Sequence, residues 1–208
     1  MSETHLNTEQ QILQSAEELF LEKGFSNTST TEIAKRAGCN QALVHYYFRT
    51  KENLFQQIFI VKIELFLKTF MIEENEGDFF TKMERRIGLY FDMLSNNRKL
   101  PFLILNELVL SKERRDFIRE NFIKNEGRQQ IYYMFDKEIQ NEIIKGTIRP
   151  IETFDLLINV VSLTIFTFLS LPIVGDVLEK NKEEKNEYIL HRKKEVIDLI
   201  IRGIKADN

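Results

Sequence analysis

The sequence predicts an all-α fold of about nine helices. Three observations predict it. In 208 residues there are only 3 Pro and 8 Gly, too few chain breakers for an architecture of short strands and turns. Apolar residues recur at three- and four-residue intervals through most of the chain. No alternating run is bracketed by turn signals as a strand would be. A chain of this length buries well over half of its unfolded surface, so it needs no staples.

The first helix is expected over Thr8–Lys23, where Ile12, Leu13, Ala16, Leu19 and Phe20 share a face, with Thr8 as N-cap and Gly24 as stop. Ser29-Thr30-Thr31-Glu32 is a capping box that opens a short second helix ending at Ala37-Gly38. Asn40 caps a third, Gln41–Tyr47, and Thr50 caps a fourth that carries Leu54, Ile58, Val61 and Leu65 as a stripe toward Phe70. Asp78–Ser95 follows, with Phe79, Phe80, Met83, Ile87, Tyr90, Phe91 and Leu94. Pro101 suits the first turn of a helix to Leu110. Lys112–Lys145 is one long helix or two joined near Gly127, with Gly146 as its stop. Glu152 to about Leu171 is strongly apolar, and Pro172 should end or kink it. A last helix runs to Lys205 with Val196, Ile197, Ile200 and Ile204 on one face.

Composition narrows the function. The single cysteine, Cys39, cannot form an internal disulfide, which fits a reducing cytoplasm, and no secretory signal is expected at the N-terminus. Net charge is −3, so bulk basicity does not announce a nucleic-acid binder. Locally, Thr31–Lys51 holds four basic residues and one acid. Leu156–Gly175 is twenty residues without a charge, enough to span a bilayer; its interior polar residues and thin basic flanks favour a buried helix of an oligomer and no membrane partner. Enzyme chemistry finds no foothold. There is no second Cys or close His pair for a metal, no Gly-rich phosphate loop, and no supported Ser/His/Asp arrangement, so no metal and no cofactor are expected.

Two short helices joined by a tight, Gly-containing turn define a helix-turn-helix. Ile33 and Ala34 form the inner face of its first helix, Ala37 permits close approach, Gly38 supplies the positive φ of the turn, and Val44 plugs the wedge from the second helix. The residues left facing outward are Gln41, Ala42, Leu43, His45, Tyr46 and Tyr47. Gln41 sits where recognition helices touch base edges, and its amide can pair with adenine. Ala42 and Leu43 can meet a thymine methyl. His45, Tyr46 and Tyr47 can donate to phosphate, as can the helix N-terminus at Thr30 and Thr31 and the ammonium of Lys51.

The run Gly24-Phe25, then Ser29 through Phe48 with its Gly38 turn and Tyr46-Tyr47-Phe48 cluster, then Lys51-Glu52-Asn53-Leu54, resembles the TetR family of bacterial transcriptional regulators. Leu43 stands where that family frequently has Ser or Thr, and His45 where Tyr is usual. The resemblance implies a DNA-binding domain over residues 6–66 and a helical ligand-binding and dimerisation domain over 67–208. It implies a homodimer, usually a repressor, whose paired recognition helices meet a pseudo-palindromic double-stranded DNA operator about 34–36 Å apart. It also implies an interface built from the last two long helices, and a cavity for a small, mainly apolar effector among the middle helices. Candidate lining residues are Phe91, Phe102, Asn106, Tyr132, Phe135, Asn159 and Phe166. The rival readings are an all-helical binding or scaffold dimer that no longer reads DNA, favoured by the acidic balance of the first 52 residues, and a membrane-attached helical protein.

Overall fold

The computed structural model describes residues 7–71, 77–103, 105, 111–123, 125–177, 179 and 181–206. Among them the chain is helical, with no strand and one isolated antiparallel bridge between Ile148 and Lys205. The helices are α1 (Thr8–Lys23), α2 (Thr30–Arg36), α3 (Gln41–Phe48), α4 (Lys51–Met71), α5 (Phe79–Asn96), α6 (Lys112–Ile123), α7 (Glu126–Ile144), α8 (Thr153–Val177) and α9 (Lys182–Ile204). Residues 100–103 and 105 are also helical; most of the helix expected from Pro101 to Leu110, and Asn106 with it, lies outside the described residues. The chain forms two compact units: the first takes the residues up to Leu65 together with Leu103 and Leu105, the second takes Phe66–Phe102 and the residues from Ser111 on, so one division falls inside α4.

In the first unit α1 buries Ile12, Ala16, Leu19 and Phe20, and α4 buries Leu54, Phe55, Ile58 and Phe59. The rings of Phe20, Phe25 and Phe55 meet edge-on or tilted at 5.3–5.7 Å, a favourable aromatic geometry. The cap of α1 is Asn7 rather than Thr8: Asn7 accepts from the Gln10 N–H, and the Gln10 side chain accepts from the Asn7 N–H. An amide is a cap at least as good as a hydroxyl, and Asn7 with Gln10 forms the reciprocal pair.

The second unit is built on α5, whose Met83, Ile87, Tyr90, Phe91 and Leu94 are buried at helical spacing. Phe66 lies against Tyr90 at 4.8 Å, Phe70 against Phe135 at 5.6 Å and Phe91 against Phe168 at 5.1 Å. Arg86 is buried among them, 4% exposed, with its guanidinium 2.7 Å from Glu138 and over the Phe135 ring. Two sequence expectations change here. The break between α6 and α7 is set by Asn125, whose side chain accepts from the Arg128 N–H, while Gly127 lies inside the first turn of α7. And Pro172 does not end α8, which continues to Val177. Burial of Leu171 and Gly175 on either side of the proline offsets the hydrogen bond it removes, and the exposed ring faces away from that packing.

By length and composition α8 could cross a membrane. It turns Leu156, Val160, Thr164, Phe168 and Leu171 inward and leaves Phe154, Ile158, Phe166, Ile173 and Val177 exposed. On α9, Val196, Ile200, Ile201 and Ile204 are buried while Leu190 and Leu199 are exposed.

Candidate nucleic-acid interface

The local chemistry of α2 starts at its cap. The Ser29 hydroxyl accepts from the Glu32 N–H at 3.2 Å, and the Glu32 carboxylate accepts from the Ser29 N–H and hydroxyl at 2.9 Å. The same carboxylate accepts from the Lys23 ammonium at the end of α1, which joins the two helices. Those donors, Lys23 first and Ser29 second, hold the Glu32 carboxyl at about 2.

The turn that follows needs glycine. Gly38 sits at φ +67°, a left-handed conformation in which any side chain is strained. The Cys39 N–H donates back to the Ala34 carbonyl at 3.0 Å, and the Asn40 side chain caps α3 by accepting from the Leu43 N–H. Burial pushes the Cys39 thiol up, which disfavours the reactive thiolate. Val44 and Phe48, each 2% exposed, anchor α3 alongside buried Ile33 and Ala34 of α2.

That anchoring turns the opposite side of α3 to solvent. Gln41, Ala42, His45 and Tyr46 are exposed, Tyr46 by 78%, and Tyr47 is exposed by 38%. Thr31 is exposed and Thr30 half-buried at the start of α2. Leu43, expected to face outward, is half-buried beside the buried Val44. Gln41 is tied to both threonines: its amide nitrogen donates to the Thr30 hydroxyl at 2.9 Å, and its carbonyl accepts from the Thr31 hydroxyl at 3.2 Å. Its nitrogen also lies 3.4 Å from His45 Nε2.

The end of α3 is abrupt. Arg49 adopts φ +63°, ψ −51°, and the Thr50 N–H donates to the Phe48 carbonyl at 2.7 Å. This is a γ-turn of the rarer positive-φ kind, costly for a residue with a Cβ. It aims the Arg49 carbonyl at His45 Nδ1, 2.9 Å away. Thr50 then caps α4 by accepting from the Asn53 N–H.

Lys51 was expected to offer its ammonium to a phosphate. Its Nζ instead donates to the carbonyls of Phe25 and Thr28, at 2.9 and 2.8 Å, and lies 4.1 Å from the centre of the Phe25 ring. The positive face is also thinner than its residue count suggests. Arg36 is held by Glu22 through two hydrogen bonds of 2.7 and 2.9 Å, with Glu18 at 3.8 Å, and this pairing keeps its pKa raised. Neither arrangement follows from helical periodicity: both join residues on different helices or loops. The Phe at 25, one ring beside a Gly stop, was the only sequence sign of a seat for a cation.

The expected ligand residues differ in burial among the described residues. Phe91 and Phe135 are buried core, Tyr132 is half-buried, and Phe102, Asn159 and Phe166 are exposed. Periodicity marked the apolar faces but could not say which of them a single chain covers. Asn159 borders an open cleft of about 660 Å³ in the second unit, lined by Ile143, Ile151 and Ile158 with Gln140 and Asp155.

Comparison with known proteins places this geometry. Residues 12–58 match the family described as bacterial regulatory proteins, tetR family. Over 202 residues the chain is 28% identical to the "Probable HTH-type transcriptional regulator YttP" of Bacillus subtilis (strain 168), covering 96% of this chain and 94% of that one. A 53-residue stretch, 26% of this chain and 28% of the other, is 42% identical to the HTH-type transcriptional regulator QacR of Staphylococcus aureus. Among solved structures, the transcriptional regulator FadR from Bacillus subtilis in complex with stearoyl-CoA superposes with a TM-score of 0.71 at 21% identity, over 94% of this chain and 98% of that one. These relatives are transcriptional regulators rather than enzymes. The capped, glycine-turned helix pair with its solvent-facing α3 therefore carries the family's own signature: residues 12–58 form a TetR-family DNA-binding, helix-turn-helix domain, in a chain similar along its length to a transcriptional regulator.

Proposed function

We propose that the protein is a cytoplasmic, ligand-responsive repressor that binds a pseudo-palindromic operator as a homodimer and is released by a small, mainly apolar effector. The observation that carries this reading is the solvent-facing side of α3: Gln41, Ala42, His45, Tyr46 and Tyr47 project from a helix whose other side is locked by Val44 and Phe48. Base edges fall to Gln41 and Ala42, with the half-buried Leu43 at their margin, and phosphates to Thr30, Thr31 and the tyrosine hydroxyls. Lys51 serves the site from behind, by holding the loop that precedes α2.

The exposed apolar stripe of α8, with Leu190 and Leu199 of α9, supports dimerisation. A row of Phe154, Ile158, Phe166, Ile173 and Val177 is too long an apolar patch for a monomer's surface. Binding of stearoyl-CoA by the FadR neighbour supports an effector with an acyl chain. Release requires only that the effector favour a spacing of recognition helices that DNA does not accept.

Fluorescence anisotropy with a duplex from the protein's own upstream region tests the DNA reading, and sedimentation tests the dimer. Specific binding by the wild type, weakened roughly tenfold or more by Gln41→Ala, is expected. Phe166→Glu should yield a folded monomer that no longer binds with high affinity. A folded wild-type dimer indifferent to that duplex and to a random pool alike would leave the scaffold reading in place.

A further inference from the structure

His45, Gln41 and Arg49 form a connected set whose hydrogen-bond polarity is determined at one end. A backbone carbonyl can only accept, so the 2.9 Å contact between His45 Nδ1 and the Arg49 carbonyl puts the proton on Nδ1. In the neutral ring Nε2 is then an acceptor, and the group facing it at 3.4 Å must be the donating NH₂ of Gln41. That fixes the amide. Its nitrogen spends its two N–H groups on His45 Nε2 and the Thr30 hydroxyl, and its oxygen takes one bond from Thr31. What Gln41 has left to offer a base is a carbonyl lone pair.

We infer that His45 sets which base Gln41 reads, and that its protonation reverses the choice. This rests on Gln41 meeting a base edge, as proposed above. A proton on Nε2 makes both ring nitrogens donors, so Nε2–H then faces an NH₂ group and the Gln41 amide turns over. The carbonyl now accepts from His45 and from the Thr30 hydroxyl, and the NH₂ donates to Thr31. Both hydroxyls can donate or accept, so neither resists the change. The spare group presented outward becomes an N–H. With neutral His45 the matching partners are adenine N6 and cytosine N4, which donate; with protonated His45 they are guanine N7 and O6, thymine O4 or adenine N7, which accept, so cytosine is the base that loses and guanine and thymine are those that gain.

The other charges around this set are placed as follows. On α2, Glu32 is engaged by Lys23 and Ser29, and Arg36 by Glu22 and Glu18; on α1, Glu17 pairs with Lys62. Lys51, at the start of α4, is turned to the carbonyls of Phe25 and Thr28. Glu9, Lys35, Arg49, Glu52, Glu64 and Lys68 are the remaining charged residues of these segments. The contact made by His45 Nδ1 is to a backbone carbonyl, which carries no proton of its own.

Two measurements on the full-length protein decide it. Nitrogen-15 NMR of the imidazoles, assigned with His45→Phe, should show the Nδ1–H tautomer for His45 near pH 8; an Nε2–H tautomer overturns the inference. Selection from a randomised duplex pool near pH 8 and near pH 5.5 should move one position in each half-site from C toward G or T, by about tenfold in relative enrichment. The shift should be absent in His45→Phe. Identical preferences at both pH values, or a shift that survives His45→Phe, overturn it. Gln41→Ala separates the two failures. If it relaxes one position while the wild type is blind to pH, the proton coupling alone falls. If it changes no position, the base contact falls with it.

Discussion

Replacing Lys51 with Met keeps the aliphatic stem and removes the ammonium. The ammonium donates two hydrogen bonds, to the carbonyls of Phe25 and Thr28, and sits over the Phe25 ring. Charge-assisted bonds contribute about 1.5–3 kcal/mol each at best, and one flexible ammonium serving both yields about 2–3 kcal/mol for the pair. The ring contact adds about 0.5–1 kcal/mol. The expected loss is therefore about 3 kcal/mol. With a urea slope of about 1–3 kcal/mol/M, the unfolding midpoint should fall by roughly 1–3 M. A phosphate-binding lysine behaves differently. Its loss leaves stability unchanged and lowers the slope of log affinity against log salt by about one contact. Urea denaturation and anisotropy titrations over a range of salt read both quantities on the same preparation. A midpoint within about 0.3 M of wild type, together with a salt slope reduced by about one, would refute the inward role of Lys51.

Three further outcomes are expected. The Glu32 carboxyl is held at about 2 against an ordinary 4.5, so its stabilising effect is complete above the ordinary value and is lost as pH falls through that window; thermal melts of Glu32→Gln should be flatter there than those of wild type. Arg86→Met strands Glu138, whose side chain is 28% exposed and can partly rehydrate, so a loss of about 2–3 kcal/mol is expected, with Arg86→Met/Glu138→Leu recovering most of it in denaturant titrations. Pro172→Ala restores an N–H to a helix that already runs through it, and calorimetry should show a gain of about 1–2 kcal/mol, or roughly 3–6 °C in Tm; a lower Tm would mean that the packing around Leu171 and Gly175 depends on the proline's bend.

Most of the scaffold was legible because helix signals are local. Ser29-x-x-Glu32, Gly38 and Asn40 specify caps and a turn within four residues of where they act, and the structure places each of them there. Asn125 and Asn7 were equally local and were passed over for a nearby glycine and threonine, although amide caps are among the strongest. Of the two outcomes expected at Pro172, an end or a kink, the helix does not end: the proline's intrinsic penalty is real, but the burial of its neighbours outweighs it, and burial depends on residues far along the chain. The same dependence hid the site's details. The seat of Lys51 is 23–26 residues away in sequence and the partner of Arg36 is 14 away. Arg49 shows no sequence sign at all of a positive φ, since glycine or asparagine would be the usual choice there. Phe91 and Phe166 look alike in a periodic pattern; one is sealed by Phe168 and the other is left to solvent.

The joint between α3 and α4 has two residues and no slack. Arg49 is wound into the tightest reversal a backbone makes, and Thr50 is already committed to the next helix. A connector that short cannot absorb a twist by loosening, so α3 and the first turns of α4 must move as one rigid piece. Any displacement applied to those turns reaches the outward row of α3 undamped, like a gear fixed to its shaft. Sensitivity of this kind is mechanical and requires no chemical change at the DNA-facing residues. One glycine inserted between Arg49 and Thr50 would supply the missing play; in the ligand-responsive reading proposed above, the product would still recognise its site yet be deaf to its effector.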